Sequence, residues 1–186
     1  MQWFQLQPMP SNACIIAWRA CPLVYDFTGV PAFHARSDEV HMFERILMVC
    51  VGNICRSPTA EYLLRHRLGG DSAIRIASAG LSAQAGHPID STALQLLHEH
   101  GIDGGQHSAR RIDAGLLRES SLILAMERTH VAAIVRMAPE VSGKLFLLDK
   151  WLEARDIPDP YRQQRPAFEH VYTMIDRGVS SWLRFL

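Results

Sequence analysis

A cysteine and an arginine enclose five residues in the run Val-Cys-Val-Gly-Asn-Ile-Cys-Arg-Ser-Pro at positions 49 to 58. Cys50 is a candidate nucleophile. Thiols at helix N-termini or beside cations ionise at pKa values of roughly 3.5–7.5 instead of about 8.5, and the thiolate is the attacking form. Arg56 can hold two oxygens of a phosphate at once with its planar fork, which a lysine cannot. Gly52 permits a sharp turn, Asn53 tolerates left-handed backbone, and the Ser57 hydroxyl can donate to the Cys50 sulfur. Together with the backbone N–H groups of Val51, Ile54 and Cys55, these residues make a phosphate-binding loop that contains its own nucleophile.

Such a loop needs a strand to deliver it and a helix to receive it. Ile46 to Val49 is a short apolar run of the kind buried in a parallel sheet. Ser57 reads as an N-cap and Pro58 as the first helical residue, and Ala60, Leu63, Leu64 and Leu68 then recur at helical spacing. Residues 50 to 57 therefore turn where free N–H groups and the positive end of a helix dipole gather.

Further elements follow in alternation. A strand over 73–77 leads into Ser78-Ala79-Gly80, and Asp90 caps a helix that Gly101 stops after about His100. A short helix holds Leu116 and Leu117 after Asp113. The run 121–126 is a strand, 127–137 a helix ended by Pro139, and 144–148 a fourth strand. A closing helix over 166–185 places Phe168, Val171, Tyr172, Ile175, Val179 and Trp182 on one side. The predicted fold is α/β, a doubly wound four-stranded parallel sheet flanked by helices, with ligands at the strand carboxyl ends and the phosphate loop after the first strand.

From about Phe43 to Trp182 the sequence resembles the low-molecular-weight protein tyrosine phosphatases. The likeness rests on Cys50 to Pro58, Ser78-Ala79-Gly80, His107-Ser108-Ala109-Arg110, Met126-Glu127 and Ile157-Pro158-Asp159-Pro160-Tyr161. It is nearest to the bacterial branch that works opposite tyrosine autokinases in capsule and exopolysaccharide export. The resemblance implies Cys50 as nucleophile, Arg56 as phosphate clamp and Asp159 as general acid. It implies that Asn53, Ser57, Ser78 and His107 brace the loop, and that Tyr161 walls the substrate ring. Ile54 suits a flat aromatic ring, and Leu81 and His87 fall where the family varies, so Leu81 is expected at the mouth. The implied reaction needs no metal or other cofactor.

Asp159 also has a reading of its own. A phenolate leaving group needs a proton, and a carboxyl between two prolines sits on a stiffened, extended loop. A turn Asp before proline is the ordinary alternative. Asp103, Asp113, Asp149 and Asp156 compete for the acid's role. Cys55 has two open readings: a partner that forms a reversible disulfide with Cys50 under oxidation, or a small packing residue.

Composition narrows the class. The chain has 186 residues, 48% hydrophobic and 20% charged, with formal net charge zero. That suits one globular domain and gives no basic surface for nucleic acid. No apolar stretch is long enough for membrane insertion. Two of the four cysteines lie in the loop, which is no disulfide framework, so a reducing cytoplasm is expected. The nine histidines show no metal-ligand spacing. The expected partner is a phosphotyrosine protein, a tyrosine autokinase by resemblance, met by a monomer or weak dimer.

Residues 1–41 lack any sustained period. They read as a disordered extension or as sequence upstream of a true start at Met42, with a docking arm as runner-up; residues 42–186 form the phosphatase domain. Three rival functions remain. An arsenate reductase of this fold shuttles a disulfide through later cysteines, and none follows Cys55. A protein arginine phosphatase has threonine where Ile54 stands. A non-catalytic phosphotyrosine-binding module would lack Cys50, Arg56 or Asp159, and all three are present.

Overall fold

A computed structural model describes residues 42–70 and 72–186, and residues 1–41 lie outside it. In chain order the strands are β1 (Arg45–Cys50), β2 (Arg75–Gly80), β3 (Leu122–Ala125) and β4 (Leu145–Leu147). The helices are α1 (Arg56–Leu68), α2 (Ser91–Glu99), α3 (Ala114–Glu119), α4 (Arg128–Met137) and α5 (Arg165–Trp182). Short 3-10 turns cover Pro139–Lys144 and Leu183–Phe185.

The four strands form one parallel sheet in the order β2-β1-β3-β4. The chain leaves β1 on one side to make β2 and returns on the other to make β3. The carboxyl end of β1 is thus the point where strand order reverses, and the flanking loops part there to leave a crevice. Cys50 is the last residue of β1.

Burial on both faces explains the unbroken apolar strands. Ile46, Met48, Leu122 and Leu124 face a core shared with α1, α2 and α5, including Leu64, Leu97, Ile175 and Trp182. Their neighbours Leu47, Val49, Ile123 and Ala125 face a second core with Leu117 and Ile134 of α3 and α4. This is the two-residue alternation of a strand, with apolar partners on either side. Each fully buried leucine or isoleucine contributes about 1.5–3 kcal/mol relative to exposure.

Two helices are capped as their sequences predict. Asp90 accepts from the N–H of Thr92 at 2.9 Å, and Asp113 from that of Leu116 at 2.8 Å. Gly101, just past α2, has φ of 75°, a conformation that glycine adopts without strain. The side of α5 expected to face inward does so, and Gly178 lets the helix approach the chain just after β4 closely: a Cβ there would meet Leu148 Cγ at 2.9 Å. Trp182 Nε1 donates to the Leu148 carbonyl at 2.9 Å, fixing the far end of the same helix.

The start of α1 differs from expectation. The helix begins at Arg56, so Cys55 occupies the capping position and Ser57 is the second helical residue. Ser57 makes no capping bond because its hydroxyl is used in the site instead. The smaller shifts elsewhere, β2 starting at Arg75 and α5 ending at Trp182, move element ends by two or three residues.

Candidate active site

The loop from Cys50 to Arg56 turns within a few residues, and one residue takes the strained conformation. Asn53 has φ of 55°, which asparagine tolerates better than most residues with a Cβ. Gly52, expected to supply the turn, has no positive φ. The glycine that the loop does require is Gly80 at the end of β2: a Cβ there would lie 2.5 Å from the Val51 carbonyl and 3.0 Å from Asn53 Cβ.

Asn53 is fully buried and every polar atom of its side chain is used. Its amide nitrogen donates to Ser57 Oγ at 2.9 Å and to Ser78 Oγ at 2.8 Å. Its amide oxygen accepts from the Arg110 N–H at 2.9 Å, which fixes the amide's orientation. Its carbonyl accepts from His107 Nε2 at 2.7 Å, so that nitrogen of His107 carries the hydrogen. Ser78 in turn donates to the buried Glu61, which pairs with Arg65 one helical turn on.

The direction of this chain reaches the nucleophile. Because Ser57 Oγ accepts from Asn53, its own hydrogen is free for Cys50 Sγ, 3.0 Å away. The Asn53 N–H also donates to that sulfur, at 3.3 Å. Two donors aimed at one sulfur suit a thiolate. The backbone N–H groups of Gly52, Ile54, Cys55 and Arg56 find no acceptor among the described residues, as an oxyanion cradle at a helix N-terminus requires.

Arg56 is 1% exposed. Its Nη1 donates to Glu127 and to the Ile157 carbonyl, the latter at 2.9 Å, and its Nη2 to Asp159 Oδ2 at 2.7 Å. With Nη1 committed, the edge formed by Nε and Nη2 remains to grip a phosphate bidentately, and Asp159 sits on one of those nitrogens. Burial alone would raise the Glu127 carboxyl, but the hydrogen bond and charge of Arg56 hold it below the usual range. Burial pushes the neighbouring His130 down; the charge of Glu127 pulls it back only in part. Cys55 is buried beside Cys50 in the loop, and burial drives its thiol far above the ordinary value, with the charge of Cys50 adding to the effect.

These groups surround a cavity of about 260 Å³. Its floor is the loop from Cys50 to Arg56, and Ser82, Gln84, His87, Asp159 and Tyr161 form its rim. Of the five candidate acids, Asp159 alone lines it. Asp113 caps α3, Asp103 accepts from Gly105, Asp149 from Arg155, and Asp156 from Arg128.

Leu81 is placed differently from expectation. It packs against the second core, so the wall it was expected to form is made by Ser82 and Gln84. The Leu81 N–H bonds to the Cys50 carbonyl and the Ser82 N–H to the Val51 carbonyl, which carries Ser82 to the mouth. Glu61, Arg110 and Gly80 carried no role in the sequence. Glu127 stood in a recognisable motif without one, because what it holds is 71 residues away.

Loop, clamp and acid around one cavity define a cysteine-dependent phosphomonoesterase on a doubly wound sheet. The chain belongs to the low molecular weight phosphotyrosine protein phosphatase family, whose pattern matches residues 45–186. It is 46% identical over 144 residues to low molecular weight protein-tyrosine-phosphatase Etp of Escherichia coli K12, covering 77% of this chain and 95% of that one. The structure of Erwinia amylovora tyrosine phosphatase amsI is similar with a TM-score of 0.73 and 42% identity, over 77% of this chain and 93% of the other. The structure of Vibrio vulnificus Wzb in complex with benzylphosphonate gives 0.74 and 40%, over 77% and 99%. The protein is thus a protein-tyrosine-phosphatase, a phosphoric monoester hydrolase. Among the described residues no helix is long and apolar enough to cross a membrane.

Proposed function

We propose that Cys50, Arg56 and Asp159 carry out the two-step hydrolysis of protein phosphotyrosine, and that the substrate is a cytoplasmic tyrosine autokinase of exopolysaccharide production. The observation that carries the site assignment is the meeting of the three side chains at one cavity, with Ile54 in its floor and Tyr161 on its rim.

Asp159 and the incoming phosphate compete for Arg56 Nη2. A protonated carboxyl holds a guanidinium weakly, so the acid form of Asp159 releases the clamp to the phosphate and is also the form that can protonate the leaving oxygen. The Cys50 thiolate attacks phosphorus in line. The S–P bond forms as the P–O bond to the tyrosine breaks, and the Asp159 proton goes to the departing phenolate. Arg56 and the loop N–H groups hold the equatorial oxygens throughout. Asp159, now a carboxylate, takes a proton from water as that water attacks the cysteinyl phosphate. Ser57 then stabilises the departing thiolate through the contact already present.

Ile54 favours an aromatic ester over a phosphoguanidinium, and the autokinase assignment follows from the resemblance to the branch that works opposite such kinases. A Cys50→Ser protein incubated with native lysate should retain a tyrosine-phosphorylated autokinase and hydrolyse no aryl phosphate. Turnover by that variant at the normal rate would overturn the nucleophile; a preference of the normal protein for phosphoarginine peptides over phosphotyrosine peptides would overturn the substrate class.

A further inference from the structure

His130 lies in the first turn of α4 with its side chain 3% exposed, and neither ring nitrogen has a hydrogen-bond partner among the described residues. Such orphaned polar atoms are rare in folded proteins and ask for a reason. The nearest polar atom points to one. His130 Nε2 is 3.4 Å from Glu127 Oε1, the same oxygen that receives Arg56 Nη1. Imidazole, carboxylate and guanidinium thus stand in line behind the phosphate cavity.

The charges around this line are few. Glu127 faces His130 from the cap of α4, Arg56 from the start of α1, and Asp156 and Asp159 from the loop after β4. Arg128 beside it is occupied by Asp156. A phosphate dianion arriving at Arg56 adds negative charge to a site already holding Glu127 and the Cys50 sulfur. Among the described residues, the unpartnered base next to that charge is the imidazole.

Resting on the phosphatase reading, we propose that His130 is a positioning residue of the phosphate clamp, which takes up a proton from solvent when an oxyanion dianion binds and then holds Glu127 against Arg56 as an imidazolium. In that state both ring nitrogens carry hydrogen, and Nε2 closes the short gap to Glu127 Oε1. No bond other than N–H is made, and the proton returns to water when phosphate leaves. The device keeps Glu127 on Arg56 while the phosphate competes for the same guanidinium. It also makes the clamp's affinity depend on pH through a group that never touches substrate.

Binding and protonation are reciprocal. If the dianion raises the His130 midpoint by about one pH unit, the protonated protein binds the dianion about tenfold more tightly. Sulfate is the probe, because it stays a dianion across the whole titration. The unmodified protein, labelled at its histidine rings, is titrated by NMR with and without saturating sulfate. The His130 ring signals should shift to the imidazolium pattern at about one unit higher pH with sulfate, while exposed histidines such as His98 stay within a few tenths. His130→Gln should lose the corresponding pH dependence of sulfate affinity and raise KM more than it lowers kcat. An unmoved midpoint in sulfate-saturated protein overturns the inference and leaves the phosphatase reading standing. Failure of sulfate to bind in competition with an aryl phosphate at the Cys50 loop would instead undo that reading, and the inference with it. Because the decisive titration needs no substitution, misfolding of the variant cannot obscure it.

Discussion

The floor and the rim of the site are built by opposite rules. In the floor, Asn53, Ser57 and Ser78 are buried and each polar atom of Asn53 has its partner. On the rim, the Asp159 side chain is 46% exposed and Tyr161 47%. The floor must meet the same charged group in every substrate, so a fixed cradle serves it and reorganisation there would be wasted. The rim must admit one protein's surface, exchange a proton with water and let a product leave, so it is loosely held. The contrast predicts that rim changes act on rates and substrates while floor changes act on the fold as well.

The largest effect should come from the one rim residue that does chemistry. Asp159→Asn removes the proton donor and should lower kcat for phosphotyrosine about 10²–10⁴-fold. The loss should shrink with aryl esters whose phenol leaves without a proton, measured across a series of leaving groups. Thermal unfolding should hardly move, because Asp159 is half exposed and its pair with Arg56 is screened. An equal loss across all leaving groups would mean that another group supplies the proton.

Asn53→Ala tests the other side. It removes the acceptor of the Arg110 N–H and one donor from each of the buried Ser57 and Ser78 hydroxyls, and an unsatisfied buried group costs about 1–3 kcal/mol. Chemical denaturation should show a loss of a few kcal/mol, with activity falling in step as the sulfur loses its aligned donor. A variant that kept its stability but lost activity would show the network to be catalytic only.

How much of this was legible in the sequence divides along the same line. The four-stranded parallel sheet, the inward side of α5 and the cap at Asp90 follow from local periods and from residues whose preference is intrinsic, so they could be read directly, whereas the strand order β2-β1-β3-β4 is set by pairings between distant segments. Cys50, Arg56 and Ser57 were legible because their spacing along the chain is their geometry in space. Glu61, Glu127 and His130 were not, since a buried acid or base on a helix is distinguished from a solvated one only by what lies opposite. Arg56 meets Glu127 across 71 positions and Asp159 across 103, separations that no local pattern encodes. Leu81 was misplaced for a related reason. Adjacent residues of an extended segment point to opposite sides, and a one-residue choice decides between core and mouth.

Stability against pH offers a smaller effect with a definite sign. Glu127 and His130 both have folded pKa values below their ordinary ones, 4.5 and 6.5. For each, the unfolded chain binds protons more readily, so stability is fully present above those values and is lost as pH falls through the folded ones. Melting temperature without added anion should therefore decline as pH drops below about 6.5, before most carboxylates titrate. His130→Gln should remove the part of the slope that begins just below pH 6.5, leaving the steeper fall at lower pH to Glu127 and the other acids. Unchanged slope in that window would mean that the imidazole is solvated in the folded protein despite its burial.

The smallest effect separates recognition from catalysis on the rim itself. Gln84 lines the cavity, and no hydrogen bond ties its side chain to another described residue. Gln84→Ala should leave kcat/KM for a small aryl phosphate within about twofold, because surface changes away from buried networks are usually worth no more than about 0.5 kcal/mol. A phosphotyrosine peptide reaches past the ring to the mouth. Its KM should rise a few-fold, as expected for a contact that binds ground state and transition state alike. Parallel kinetics on the two substrates measures the difference. If both substrates lose equally, Gln84 shapes the floor, and the boundary between fixed cradle and adaptable mouth lies further out than Ser82 and His87.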